Sequence, residues 1–134
     1  MKVADPYRWL EDAADPETVK WVEAENTLTR SYLDGPRRDA IKARLTELLD
    51  FPRVSVPEKQ GTRYFFTRNS GLQNQSVLYV REGLDGQERI LLDPNALSTD
   101  GTVALTGTAP TQDGALFGYS ISRSGSDRQE IYVR

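Results

Sequence analysis

The chain has 134 residues, of which 37% are hydrophobic and 28% charged, and its formal net charge is −3. This composition is typical of a globular domain, and no stretch approaches the roughly 18 apolar residues of a membrane span. The lack of cysteine excludes disulfides and thiolate metal sites, and charged residues near the N-terminus exclude the apolar core of a signal peptide. We therefore expect a cytoplasmic protein, with the periplasm as the alternative.

The charge is uneven along the chain. Residues 1–50 carry 8 Lys and Arg against 11 Asp and Glu, whereas residues 51–134 carry 9 of each, so the first segment accounts for the whole net charge. Nucleic-acid binding needs a clustered basic face, and the basic residues Arg37, Arg38, Lys42 and Arg44 are interleaved with acids. We expect neither a nucleic acid nor a membrane as partner.

The first fifty residues predict two helices. Asp15 precedes Pro16 and Glu17, an arrangement typical of a helix N-terminus, because the carboxylate caps free amides and proline fits the first turn. An apolar stripe at helical spacing follows, formed by Trp21, Ala24, Leu28 and Tyr32. The helix is expected to end near Leu33, with Gly35 as a stop.

A second helix is predicted from Pro36 to Asp50, because Pro52 prevents its continuation. Its buried face is expected to consist of Ile41, Leu45, Leu48 and Leu49.

After Pro52 the pattern becomes that of strands. Six short segments rich in aromatic or β-branched residues are predicted: Arg63–Arg68, Ser76–Val80, Glu88–Leu92, Val103–Thr106, Leu116–Ser120 and Gln129–Val133. Glycine-containing turns separate several of them, which predicts an antiparallel meander. Val77–Val80 and Ile90–Leu92 are apolar at consecutive positions, so both faces of the sheet are expected to be covered.

A repeat runs through this region. Residues 61–81 align without a gap on residues 114–134, an offset of 53 residues (114 − 61), with Phe66 over Tyr119 and Tyr79 over Tyr132. A repeat of about 50 residues with four short strands has the size of a propeller blade, although two similar hairpins could arise by chance. The repeat predicts that both hairpins pair in the same register.

The sequence offers no candidate catalytic, cofactor-binding or metal-binding residue. Without histidine, no Ser-His-Asp or Cys-His system can form from this chain. The acids Glu11, Asp12, Asp15 and Glu17 are numerous enough to suggest a paired-carboxylate or cation site, but helix capping and solvation explain them better. Trp9 and Trp21 could stack a ligand, yet tryptophan at helical spacing is usually part of a core.

Three segments together resemble the N-terminal part of prolyl oligopeptidases. They are Val3–Glu11 (VADPYRWLE), Gly71–Val80 (GLQNQSVLYV), and Leu91–Asn95 (LLDPN) with Asp100–Leu105 (DGTVAL). Members of that family are serine peptidases that cleave short peptides after proline. They combine an α/β-hydrolase domain with a seven-bladed β-propeller that excludes large substrates.

The resemblance implies an α+β fragment with three parts. Residues 1–50 would form the helical segment that packs on the hydrolase domain, 51–100 the first blade, and 101–134 a partial second blade ending after three strands. The catalytic residues of the family lie downstream, so none is transferred to this chain. The resemblance also implies that a short segment normally precedes the Asp5–Tyr7 motif.

The sequence therefore predicts the non-catalytic N-terminal portion of a prolyl-specific serine endopeptidase. Its expected partners are short proline-containing peptides, through the full-length enzyme, and the hydrolase domain and remaining blades. The alternative is a stand-alone peptide- or protein-interaction module derived from a propeller, without catalysis.

Overall fold

Helices come first in the chain and strands follow. The computed structural model describes residues 3–134, with a 3₁₀ turn at Arg8–Glu11, helix α1 at Pro16–Leu33 and helix α2 at Pro36–Leu49. The chain divides into two units, one ending at Leu45 and the other Thr46–Arg134, so α2 contributes to both. No helix within residues 3–134 is long and apolar enough to cross a bilayer.

Helix α1 begins as the sequence predicts. Asp15 has an extended backbone, and its carboxylate accepts a hydrogen bond of 2.8 Å from the Glu17 N–H. Pro16 occupies the first helical position, where a missing N–H costs nothing. The expected limits of both helices are confirmed to within one residue.

The predicted buried face of α2 is wrong. Ile41, Leu45, Leu48 and Leu49 are 53%, 52%, 50% and 48% exposed, and α2 has no buried residue. The apolar stripe of α1 is also open, since Trp21, Leu28 and Tyr32 are all exposed. A helix stripe is buried only where another element covers it, and helical spacing does not specify that element.

Two antiparallel sheets follow. Sheet 1 contains β1 (Arg53–Val54), β2 (Glu58–Gln60), β3 (Arg63–Asn69), β4 (Val77–Glu82) and β5 (Arg89–Leu92). Sheet 2 contains β6 (Val103–Pro110), β7 (Phe117–Arg123) and β8 (Gln129–Val133). Within each sheet, each strand pairs with the next in the chain, except that β1 and β2 both pair with β3. The six predicted strands correspond to β3–β8, and seven of their twelve ends differ, by one to four residues.

Strands β1 and β2 were not predicted. They form one interrupted strand along β3, because Val54 pairs with Arg68 and Glu58 with Phe65. The interruption includes Pro57, which has no N–H for a ladder. Ser55 bridges it, because its N–H donates to the Thr67 carbonyl at 3.0 Å and its Oγ accepts from the Thr67 N–H at 2.9 Å.

The register of the repeat is confirmed. Phe66 pairs with Tyr79 between β3 and β4, and Tyr119 pairs with Tyr132 between β7 and β8. The paired rings stack in both hairpins, with centroids 5.8 Å apart in the first and 5.3 Å apart in the second. Equivalent residues therefore occupy equivalent faces.

The core of the second unit lies between the two sheets. The front face of sheet 1 is the one that carries Phe65, Leu78, Val80 and Leu92, and its back face carries Phe66 and Tyr79. The faces of sheet 2 take the same names from the residues that the 53-residue repeat aligns with these. The front face of sheet 1 packs on the back face of sheet 2, where Phe65 stacks on Phe117 at 5.4 Å. Leu105 and Tyr119 complete the contact.

The expectation that both sheet faces are covered is confirmed in β4 and fails in β5. Val77, Leu78 and Val80 are all buried, although they point to alternate faces. Ile90 is 56% exposed. It lies on the edge strand, where no neighbour covers the back face, so an apolar run alone does not ensure burial.

Candidate functional site

The acidic residues near the N-terminus have structural roles. Asp15 caps α1, Asp12 Oδ1 accepts from the Ala14 N–H at 3.0 Å, and Glu11 lies 3.8 Å from the Arg8 guanidinium. In the described part of the chain, no three acidic or other ligating side chains are grouped so that they could hold a metal ion. The arrangement supports capping rather than a paired-carboxylate site.

The two tryptophans join the 3₁₀ turn to α1. Trp9 and Trp21 meet edge to face with ring centroids 6.4 Å apart, and the buried Thr18 hydroxyl donates to the Trp9 carbonyl at 3.0 Å. The rings remain 41% and 45% exposed, so they do not form the closed core that was expected. Neither ring borders a described cavity.

Alternate loops of the meander lie at the same end of the sheets, because successive strands are antiparallel. We call one end the motif end; it carries residues 70–76, 93–102 and 124–128. The opposite turn end carries residues 61–62, 83–88 and 111–116. Two of the segments that resemble prolyl oligopeptidases reach the motif end, so this end is the candidate functional site.

The loop after β3 is held by its own side chains. The Ser70 N–H donates to Gln73 Oε1 at 2.8 Å, the Gly71 N–H to Asn69 Oδ1 at 2.9 Å, and Arg53 Nη2 to the Gly71 carbonyl at 2.7 Å. A Cβ at Gly71, where φ is +140°, would lie 2.3 Å from Asp50 Oδ1. Only glycine therefore fits this position.

Gln75 joins the two sheets. Its Nε2 donates to the Val103 carbonyl at 2.6 Å, and its Oε1 accepts from the Leu105 N–H at 3.0 Å. The side-chain amide thus binds the free edge of β6 as another strand would. These two bonds satisfy backbone groups that would otherwise lack a partner.

Asn95 completes this junction. It accepts from the Gln75 N–H and donates to the Gln75 carbonyl, both at 2.9 Å, and Asp93 Oδ1 accepts from Asn95 Nδ2 at 2.9 Å. At the same end, Asn74 Nδ2 donates to the Gly101 carbonyl at 3.3 Å. Because their polar groups bind one another, the motif residues hold the sheets together rather than presenting groups to a ligand.

The carboxylate of Asp100 supports the turn between the sheets. Thr102 donates to Asp100 Oδ1 through its N–H at 3.0 Å and its hydroxyl at 2.9 Å. These two bonds, the backbone bond first, hold the pKa of Asp100 below its usual value. At the turn end, the Thr111 hydroxyl and then the Ala115 N–H lower the pKa of Asp113 in the same way.

The turn end contains a cavity of about 410 Å³ between the sheets, bordered by Arg63, Arg89 and Arg134. Arg63 is bound to Glu82 at 3.2 Å and to the Gly114 carbonyl at 2.6 Å, and Arg134 donates to the Leu91 carbonyl. Protein groups therefore already bind two of these three guanidinium groups.

The back face of sheet 1 carries alternating arginines and aromatic rings. The Arg68 guanidinium lies 5.4 Å from the Phe66 ring and 5.5 Å from the Tyr79 ring, and Arg81 lies 5.7 Å from Phe66. Glu88 contacts Arg68 at 2.7 Å and Arg81 at 3.8 Å. Cation–π contacts of this kind stabilise a surface while keeping it charged. This cluster was not predicted from the sequence, although the alternation of aromatic residues and arginine was its signal.

Comparison with known proteins agrees with these features. Residues 1–134 match the family model of the prolyl oligopeptidase N-terminal β-propeller domain. The prolyl endopeptidase of Elizabethkingia meningoseptica is 41% identical over 133 residues, which are 98% of this chain and 19% of that protein. The prolyl endopeptidase of Dictyostelium discoideum is 36% identical over 149 residues, covering all of this chain and 20% of that protein.

Solved structures show the same fold. A structure from a study of two prolyl endopeptidases superposes with a TM-score of 0.84 at 40% identity, covering 99% of this chain and 20% of the other. Prolyl oligopeptidase B from Galerina marginata, bound to a 35-residue hydrolysis and macrocyclization substrate, gives a TM-score of 0.77 at 32% identity, covering 98% and 20%.

The chain spans about a fifth of the length of the relatives that it matches. The match includes both helices and both sheets, and it confirms the predicted fold class and family resemblance. This chain belongs to the prolyl oligopeptidase family and matches part of its N-terminal β-propeller region.

Proposed function

We propose that this chain supplies the helical segment and the first two blades of the β-propeller in a serine-type endopeptidase that cleaves short peptides after proline. The observation that carries the proposal is the alignment of nearly the whole chain, at 41% identity, with a prolyl endopeptidase. In this role the propeller admits short peptides and excludes folded proteins.

The proposed role is structural. Gln75 and Asn95 fix sheet 1 against sheet 2 at the motif end, and Arg63 connects the sheets at the turn end through the Gly114 carbonyl. Two sheets held at both ends suit the wall of a propeller, which must keep its shape while peptides pass. The hydrolase domain and the remaining blades would cover the open apolar surfaces.

A replacement experiment tests this role. Residues 1–134 replace the aligned N-terminal part of the Elizabethkingia meningoseptica prolyl endopeptidase, and cleavage of a proline-containing fluorogenic peptide is measured. We expect a folded, active chimera that still prefers proline, whereas deletion of the same part abolishes activity. A folded chimera with no activity, or with no preference for proline, would refute the proposal.

The isolated chain should have no peptidase activity, because it contains no histidine to activate a nucleophile. It is incubated with the same fluorogenic peptide before and after treatment with a serine-reactive phosphonate. Turnover that survives repurification and is blocked stoichiometrically by the phosphonate would contradict this expectation. Peptide binding without turnover, together with an inactive chimera, would favour the stand-alone interaction module.

A further inference from the structure

We propose that the unpaired edges of the first strands in each sheet line the path of peptides through the propeller, and that breaks in these edges prevent a passing peptide from pairing with them. The edges belong to β1–β2 in sheet 1 and to β6 in sheet 2, and within residues 3–134 no strand pairs with them. We call them the inner edges. The inference rests on the proposed function and adds how a wall of strands lets extended peptides pass.

The two sheets approach each other most closely beside the inner edges. A Cβ at Gly61, in the turn after β2, would lie 2.3 Å from the carbonyl oxygen of Asp113, in the turn after β6. At the opposite side of the sheets, the long side chain of Arg134 spans the gap to the Leu91 carbonyl of β5, beside a cavity of about 410 Å³. Blades surround a central channel and therefore converge towards it. The inner edges accordingly face the channel.

An unpaired strand edge is a binding site for extended peptides. Its outward N–H and C=O groups form a row that another chain can pair with. Peptide recognition by strand addition uses these groups, and the main-chain hydrogen bonds supply affinity for any peptide that can extend. A channel that conducts peptides is therefore expected to interrupt the row.

The hydrogen bonds of Ser55 show which groups face the inner edge of sheet 1. The Ser55 N–H donates to the Thr67 carbonyl of β3 at 3.0 Å. Because successive residues of a strand direct their N–H and C=O groups to opposite sides, those of Val54 point away from β3. Val54 and Val56 are 59% and 91% exposed, so this edge is open to solvent.

Pro57 and one extra residue interrupt this edge. Val54 pairs with Arg68 and Glu58 with Phe65, so β1–β2 advances by four residues where β3 advances by three. A bulge of this kind breaks the two-residue spacing of the outward groups. Pro57 lies within the bulge and has no N–H. A peptide therefore cannot pair along the whole edge.

The inner edge of sheet 2 is interrupted in a corresponding way. Gln75 binds the Val103 carbonyl and the Leu105 N–H, which are the outward groups at the start of β6. The register against β7 then shifts between Leu105 and Gly107, and the strand ends at Pro110, which has no N–H. Bulges and prolines are devices by which natural sheets prevent pairing at an edge. Both inner edges combine the two, so neither offers a continuous row of pairing groups.

Deletion of Pro57 tests the break in sheet 1, because it removes the proline and the extra residue together and leaves one continuous strand along β3. The 134-residue chain is titrated into a fluorescein-labelled peptide of alternating threonine and valine, and binding is followed by fluorescence anisotropy. The deletion variant should bind about tenfold more tightly than the parent chain, since several main-chain hydrogen bonds are added. Pro57→Val restores the N–H but keeps the extra residue, and it should bind with intermediate affinity even if the deletion variant does not fold.

Val54→Pro is the matched control. It removes an N–H that points to the inner edge and keeps the groups that face β3, so adding it to the deletion variant should return binding to the level of the parent chain. The same substitution in the parent chain should change nothing, and a peptide with N-methyl groups at alternate residues should show no gain. A folded deletion variant that binds no more tightly, a gain that survives Val54→Pro, or a parent chain whose own binding falls with Val54→Pro would overturn the proposal.

The chimera with the Elizabethkingia meningoseptica enzyme tests the consequence for catalysis. The unlabelled threonine–valine peptide contains no proline, so it should act as an inhibitor of the cleavage of the fluorogenic peptide. It should inhibit a chimera that lacks Pro57 about tenfold more strongly than the parent chimera, in line with the gain in binding. An inactive parent chimera would count against the proposed function, whereas two active chimeras that are inhibited equally would overturn the inference about the inner edges.

Discussion

Leu78 in sheet 1 and Ile131 in sheet 2 occupy equivalent positions of the repeat, yet Leu78 is 4% exposed and Ile131 is 80% exposed. The two residues have the same register and lie on the same face of their hairpins. They differ in their surroundings, because the front face of sheet 1 is covered by sheet 2 and, within residues 3–134, no sheet covers the front face of sheet 2. Burial in a repeat is therefore set by the neighbouring unit as much as by the strand itself.

The strongest test of this comparison is truncation at the two equivalent positions. Leu78→Ala should lower the free energy of unfolding by about 2–5 kcal/mol, because it removes buried methyl groups and leaves a cavity. Ile131→Ala should change it by less than about 0.5 kcal/mol, since the side chain is mostly in water. Urea denaturation at low micromolar concentration measures both. Equal losses at the two positions would show that both faces are covered in solution.

A second test addresses the close approach of the sheets at the turn end. Gly61 and Gly83 both have positive φ, +57° and +66°, but a Cβ at Gly61 would lie 2.3 Å from the Asp113 carbonyl oxygen, whereas Gly83 has open space. Gly83→Ala should cost about 1–2 kcal/mol through its backbone conformation alone. Gly61→Ala should cost about 1–3 kcal/mol more, because sheet 2 must move.

The same denaturation series measures both glycine variants. Similar losses for the two would indicate that the sheets separate at this end without penalty.

A third test concerns the junction at the motif end. Gln75→Met keeps the length of the side chain but leaves the Val103 carbonyl and the Leu105 N–H without their partner. We expect a loss of about 1–3 kcal/mol, which is typical of buried polar groups left unpaired. Arg128→Met is the matched control at the equivalent position in sheet 2, and its effect should be near zero. If both variants lose the same stability, the amide of Gln75 has no special role in joining the sheets.

Local signals in the sequence predicted much of this fold. Asp15 and Pro16 specified the start of α1 because capping depends on adjacent residues only. The alignment of Phe66 and Tyr79 with Tyr119 and Tyr132 predicted the register of both hairpins, because a slip of one residue would have moved every side chain to the other face.

Other features depend on contacts between distant segments, and the sequence pattern did not reveal them. The buried face assigned to Ile41 and Leu45 failed because helical spacing does not show whether another element covers the stripe. Strand β2 was missed because Pro57 obscured it, and pairing with β3 defines it. The Gln75 junction was visible only as part of a family motif, since its partners are 28 and 30 residues away.

The smallest expected effect is the pH dependence at the turn that leads from sheet 1 to sheet 2. Two hydrogen bonds from Thr102, the backbone bond first, lower the pKa of Asp100 in the folded chain. A carboxyl whose pKa is lower in the folded state stabilises the fold above its unfolded pKa, about 3.9, and this contribution is lost as the pH falls through the folded pKa. Asp100→Asn removes the titration but keeps an acceptor oxygen.

The variant should therefore be slightly less stable than the parent chain at pH 6, and the difference should shrink as the pH approaches 3. Urea midpoints across this range measure the change, with Asp127→Asn, an exposed turn aspartate, as the control. Thr102 also accepts from the Ser124 N–H at 3.0 Å, so this turn connects the start of β6 to the end of β7. A difference that stays constant from pH 3 to pH 6 would mean that the shape of the Asp100 side chain, rather than its charge, supports the entry into sheet 2.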